Sequence, residues 1–289
     1  MAKETKYGVQ ELKAEFPTDD ACLEYLFDTL HTRECSCGGR YARLNGRKQF
    51  QCSKCRFQIA PMVGTIFQKT STPLTLWFHA IFIFSNAKSG ISAKEMERQL
   101  NVTYKCAYRI LTFVRKSLEQ GKRTLKGTVE VDDASFGGRG HGGRYNENQR
   151  AVMANKIKVV AAQERGGEMR AQKLPDLSAH SLGQFVNSNV ERLGTTLMTD
   201  GTAYYGQSLV GYSRKTVNHS KKQFVIGDAH VNKIENFWSH VKKSIKGTHK
   251  SVSKQHFQSY LNAFVWLRNN RHNDRARFGA LLAGIVRPV

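Results

Sequence analysis

No run of about 18 consecutive apolar residues occurs in this chain, which excludes a membrane-spanning helix. The opening Met1-Ala2-Lys3-Glu4-Thr5-Lys6 is polar and has none of the pattern of a secretory leader. Internal repeats and low-complexity tracts are missing as well, which excludes a solenoid and a compositionally disordered chain. The most telling shortage is of acid: 23 Asp and Glu stand against 45 Lys and Arg, a formal net charge of +22. Such a charge gives affinity for polyanions through phosphate neutralisation and counterion release. With no membrane segment, the expected setting is the cytoplasm, with access to DNA or RNA. With few acids to spend, the places where they gather carry information.

Cysteine is also scarce and uneven. Of the six, Cys35, Cys37, Cys52 and Cys55 fall within about twenty residues, while Cys22 and Cys106 stand apart. In a reducing compartment such clustering favours a metal over disulfides. Cys35-Ser36-Cys37 and Cys52-Ser53-Lys54-Cys55, joined by the β-like stretch Tyr41 to Phe50, predict a zinc ribbon with four thiolates around a structural Zn²⁺. The first knuckle is one residue shorter than the usual Cys-x-x-Cys. Cys22 lies on the apolar face of a helix expected from about Phe16 to Leu30 and reads as a core residue.

At 289 residues the chain is long enough for more than one domain. The division expected is 1–70 for the N-terminal helix and ribbon, 71–122 for a helical region, and 123–289 for a region richer in strands. A strongly apolar helix is predicted over Pro73 to Ala87. Ser92 caps a short helix carrying Met96 and Leu100, Asn101-Val102-Thr103 makes a turn, and a second helix runs from about Tyr104 to Leu118. This is the pattern of a helix-turn-helix, with Tyr104, Lys105, Tyr108 and Arg109 facing a major groove.

Beyond a hinge at Gln120 to Lys126, Val129-Glu130-Val131-Asp132-Asp133 reads as a short strand ending in carboxylates, followed by a glycine-rich basic loop with Arg139, His141 and Arg144. Thr196-Leu197-Met198-Thr199-Asp200 repeats the design. A third acid, Glu235, lies on a helix near Lys233 to Ile245, with 34 residues between it and Asp200. Further strands are expected at Lys156 to Ala162, Met169 to Lys173 and Lys215 to Val217, and helices from Ser178, at Tyr204-Tyr205 and from Ser253 to Asn269. The fold class is therefore mixed, α+β and α/β, and the order β-β-β-α-β-α-β-α predicts a ribonuclease-H-like core behind the ribbon and helix-turn-helix. Two strand-end aspartates and a helical acid supply the oxygen ligands that a two-metal phosphoryl-transfer site requires, with Mg²⁺ or Mn²⁺ as the ion. Tyr204 and Tyr205 lack the Arg/His surroundings of a tyrosine recombinase. Trp238 and Trp266 fit a core role better than a DNA contact.

In combination, Gly64-Thr65-Ile66-Phe67 after the ribbon, the helix-turn-helix, Val-Glu-Val-Asp-Asp…Phe-Gly-Gly, Thr-Asp-Gly, and His230 to Ser239 with Lys246-Gly247-Thr248-His249 resemble the zinc-ribbon insertion-sequence transposases, the bacterial branch related to eukaryotic Merlin elements. The resemblance spans about Phe16 to Arg271. It implies a DDE-type transposase that binds the ends of its own element as double-stranded DNA, assembles there as a dimer or higher oligomer, and works near the bacterial nucleoid. By position it implies Asp132 and Asp200 as metal ligands. The third position of the family is Glu or Asn followed by Lys, so Glu235 and Asn232 both remain candidates, with Lys242 near the DNA phosphate. Asp133 stands where a Glu is more usual. A DNA-binding regulator derived from a transposase, or a nuclease of the same fold, are the alternatives.

Overall fold

Capping residues set the helix limits in the first half of the chain. The computed structural model describes residues 7–118, 120–137, 155–200, 209, 211–217, 231–271 and 274–286. Helix α1 spans Val9–Glu15, and α2 spans Asp19–Leu30, opened by Thr18, whose hydroxyl accepts the Ala21 N–H. Phe16 is therefore outside α2, and packs edge-on against Phe78 instead. Strands β1 (Tyr41–Arg43), β2 (Phe50–Cys52) and β3 (Gln58–Ile59) form an antiparallel sheet in that order. Helix α3 (Leu74–Asn86) is apolar almost all round and buries Trp77, Phe78, Ile81 and Phe84, as a central core helix must. Helix α4 (Ala93–Leu100) is capped by Ser92, and α5 (Tyr104–Ser117) by Thr103. Between them Asn101 takes the left-handed conformation that Asn tolerates at a helix end.

The second half is built on a five-stranded sheet in the order β6-β5-β4-β7-β8. Its strands are β4 (Thr128–Phe136), β5 (Ile157–Glu164), β6 (Met169–Leu174), β7 (Thr196–Asp200) and β8 (Ser213–Val217). β4 pairs antiparallel with β5 and β5 with β6, whereas β7 runs parallel to β4 and β8 parallel to β7. Helix α6 (Ala179–Asn189) covers one face, over Val129, Val131, Val160 and Leu197. Helices α7 (Asn232–Ser244) and α8 (Phe257–Asn269) cover the other, over Ala134, Phe136, Val159 and Ala161. α7 runs directly into a π-helical turn, Ile245–His249.

Two expectations change. β4 does not end at its aspartates: Asp132 and Asp133 are mid-strand, paired with Ala161 and Val160, because Ala134 and Phe136 continue the alternation and pair onward with β5. A last helix, α9 (Asp274–Val286), had no counterpart in the sequence reading. It packs along α3, and the nearly buried Arg277 donates to the Ser85 carbonyl at 3.2 Å. The chain accordingly divides into Met1–Leu118 with Asn270–Val289, and Glu119–Asn269, whereas the expected division ran the last region on to 289. The Tyr204-Tyr205 helix and the basic loop of Arg139, His141 and Arg144 lie outside the described residues. No helix among the described residues is long and apolar enough to cross a membrane.

The outer side of β6 is an open sheet edge, and side-chain amides close it. Gln120 accepts the Ala171 N–H at 2.8 Å and donates to the Ala171 carbonyl. Gln258 accepts the Lys173 N–H at 2.7 Å, and Asn269 accepts the Met169 N–H at 2.9 Å and donates back to its carbonyl. Every second residue of the edge is thus occupied, which blocks pairing with another chain. Gln120→Ala or Gln258→Ala is expected to lower stability by about 1–2 kcal/mol, the cost of leaving backbone groups without their partner. Urea unfolding with an unchanged m-value checks this.

Candidate functional site

The acid cluster follows from strand register. In the parallel pair, Glu130 lies opposite Met198. Two residues further on, the same register brings Asp132 beside Asp200, on strands roughly 5 Å apart. Alternation then decides the face. Val131 and Leu197 belong to the core under α6, whereas Met198 packs with Val231 at the start of α7. Asp132 and Asp200 share the parity of Met198 and point to the α7 side, and Asp133 points to the opposite one.

On α7 the buried stripe is Ile234, Phe237, Trp238 and Val241. At about 100° per residue, Glu235 flanks that stripe, while Asn232 lies nearly opposite it. Glu235 is in the first turn, where the helix dipole favours a carboxylate. Lys242 is exposed two turns further along the Glu235 side. The charges converge on Asp132: burial, and then the carboxylates of Asp133, Asp200 and Glu235, push its carboxyl up to about 8, against an opposing hydrogen bond from the Asp133 backbone. This crowding of acids in a chain of charge +22 fits a bound divalent cation, which would relieve the repulsion.

Glu130 has no role in the sequence reading, although it shares the face of Asp132. It is fully buried, and its carboxylate accepts from Arg165 Nε and from the Lys233 backbone N–H, both at 3.1 Å. Its signal in the sequence was a charged residue inside an otherwise apolar alternation, two positions before Asp132.

In the ribbon the four thiol sulfurs of Cys35, Cys37, Cys52 and Cys55 lie within 4.8 Å of one another, and the group can hold a zinc ion. Among the described residues they form the one such group, so the acids share an electrostatic field without being as tightly gathered. The Cys37 backbone N–H and the Tyr41 hydroxyl, 3.3 Å away, pull the Cys35 thiol down to about 6, toward the thiolate that a metal needs. The short first knuckle is accommodated by its glycines. Gly38 has φ +76°, and a Cβ on Gly39 would sit 2.6 Å from Cys52 Sγ. Cys22 is fully buried in α2, as a core residue.

On α5, Tyr104, Lys105, Tyr108 and Arg109 are all exposed. The two tyrosine rings stack at 6.1 Å, and the Arg109 guanidinium lies 5.5 Å from the Phe113 ring.

Two outcomes follow from these centres. Cys52→Ser is expected to lose zinc and to loosen the ribbon while the five-stranded sheet stays folded, as read by metal analysis and circular dichroism. For Asp132 the folded pKa exceeds the unfolded one, so its contribution to stability is present at low pH and is lost as pH rises from about 4 through about 8. Asp132→Asn is therefore expected to stabilise metal-free protein at pH 8, by on the order of 2 kcal/mol after discounting for partial exposure, and to have little effect at pH 4. Denaturant unfolding of both proteins across that range checks the sign.

Residues 124–269, just over half of the chain, match the family described as "ISXO2-like transposase domain". A protein of Halobacterium salinarum, described as "Uncharacterized protein in transposable element ISH50", is 24% identical over 237 residues, covering 78% of this chain and 80% of its own length.

Proposed function

We propose that this chain, which belongs to the ISXO2-like transposase family, binds the ends of an insertion sequence as double-stranded DNA and cuts and rejoins them with the help of divalent metal ions. The observation that carries the reading is the raised Asp132 carboxyl, set in the field of Asp200 and Glu235 on one face of the sheet. In this reading the sheet is a ribonuclease-H-like core, supported by the order β6-β5-β4-β7-β8, by the one antiparallel turn-back of β5, and by helices on both faces.

Asp132 and Asp200 are the two strand-borne ligands and Glu235 is the third, favoured over Asn232 by its place beside the buried stripe of α7 and by its charge at Asp132. A bound Mg²⁺ or Mn²⁺ pair supplies the activation of a water or 3′-hydroxyl nucleophile and neutralises charge developing on the phosphate. The residues do the rest: β4 and β7 fix two carboxylates against displacement, and Lys242 holds a DNA phosphate beside them. Tyr104, Lys105, Tyr108 and Arg109 act as the reading surface of a helix-turn-helix formed by α4 and α5, supported by their exposure and by the three-residue turn. The cysteines hold a structural zinc, which makes the ribbon a second DNA-binding module. The acid centre is single in each chain while an element has two ends, which calls for a dimer or a larger assembly on DNA.

The test is a nicking assay with Mg²⁺ and DNA carrying the ends of the flanking element. Asp132→Asn and Asp200→Asn are expected to lower the rate by about 10³-fold or more with DNA binding kept. Glu235→Gln should abolish cleavage while Asn232→Ala keeps measurable activity; the reverse ranking would make Asn232 the ligand. Wild-type rates in both aspartate variants would end this mechanism.

A further inference from the structure

Helix α7 begins without a side-chain cap of its own. Its N-cap residue is Val231, at φ −121° and ψ 20°, which has no oxygen to offer the first-turn N–H groups. The carbonyl of Val231 takes the N–H groups of Ile234 and Glu235. The N–H of Lys233 goes elsewhere, 103 residues back in the chain, to the buried carboxylate of Glu130. Glu130 holds its other oxygen to Arg165 Nε at 3.1 Å, and the Arg165 backbone N–H in turn donates to the Thr128 carbonyl at 2.9 Å, at the start of the same strand.

A buried carboxylate facing the positive end of a helix is a charge-assisted cap, stronger and more directional than a hydroxyl cap. Its location matters more than its strength. Glu130 is two residues before Asp132 on one face of one strand, and Lys233 is two residues before Glu235 on α7. A single hydrogen bond therefore ties the element bearing the first acid to the element bearing the last, within one turn of each.

We propose that Glu130 is a positioning residue: by capping α7 at Lys233 it sets the separation between Glu235 and Asp132, and Arg165 keeps its carboxylate aimed. This rests on the reading of Asp132, Asp200 and Glu235 as the metal ligands. A group that orients ligands without touching the ion governs metal affinity, typically by 10–100-fold when it is removed.

The experiment uses zinc-loaded full-length protein and counts bound Mn²⁺ by electron paramagnetic resonance, with no DNA present. Glu130→Ala is expected to raise the Mn²⁺ dissociation constant about tenfold or more, whereas Glu130→Gln, whose amide oxygen still accepts from Lys233, stays within about threefold. Lys233→Pro deletes the donor in the first turn without breaking an intrahelical hydrogen bond, and should weaken Mn²⁺ as Glu130→Ala does, while Lys233→Ala binds as wild type. If Glu130→Ala does not fold, Lys233→Pro carries the test alone. Wild-type Mn²⁺ affinity in folded Lys233→Pro, or equal losses in Glu130→Gln and Glu130→Ala, overturns the proposal. Asp132→Asn separates the two readings: should it also bind Mn²⁺ like wild type, the acid site itself is wrong, whatever Glu130 does.

Discussion

The pairing of β4 with β7 constrains everything at the acid centre. A strand has a period of two, so a slip of one residue would turn each carboxylate to the opposite face. What prevents the slip is burial: Val129, Val131 and Leu197 must lie under α6, and Ala134 and Phe136 under α7 and α8. The apolar side chains have no part in the chemistry, yet they decide where Asp132 and Asp200 point. Asp132 and Asp200 are carried by the central strand of the five and by the parallel strand beside it, each with a neighbour on both sides, the least deformable part of the sheet.

Both candidate centres gather like charges and hold them by means of something else. At the sheet, burial and three neighbouring carboxylates keep Asp132 reluctant to ionise, and the hydrophobic core of the sheet offsets that cost. In the ribbon the strands are only two or three residues long, too little to fold on hydrophobic contacts alone. Helix α2 lends the ribbon a core: Phe27 stacks on Phe50 with ring centres 4.0 Å apart, and the Arg33 guanidinium lies against both rings while pairing with Glu24 and Asp28. A cation bound in either place would convert repulsion into cohesion, and would link metal binding to folding in the ribbon and to carboxylate ionisation at the sheet.

Long-range polar contacts do the joining. Gln120, Gln258 and Asn269 close the β6 edge, and Glu130 caps α7 from β4 beneath it. In each case a side chain supplies what a regular element leaves unpaired, an edge strand in one case and a helix N-terminus in the other. These four side chains thus sit where backbone groups would otherwise go unsatisfied.

What the amino-acid sequence determined by itself is local. Ser92 and Ser178 announced their helices because a cap acts within three residues. Strand alternation revealed β5 and β6, and the spacing of the cysteines revealed the thiol cluster, since four sulfurs on two tight turns have few other places to be. Asp132, Asp200 and Glu235 stood out because acid is rare in so basic a chain. The tertiary structure decided the rest. That β4 runs on past its aspartates depends on pairing with Ile157 to Val159, and that α9 returns to α3 depends on a surface formed some 190 residues earlier. Which stripe of α7 is buried depends on the packed sheet, and the role of Glu130 depends on a donor 103 residues away. Propensities and caps act over a few residues of chain, whereas these choices are made by groups that meet only after the core has formed.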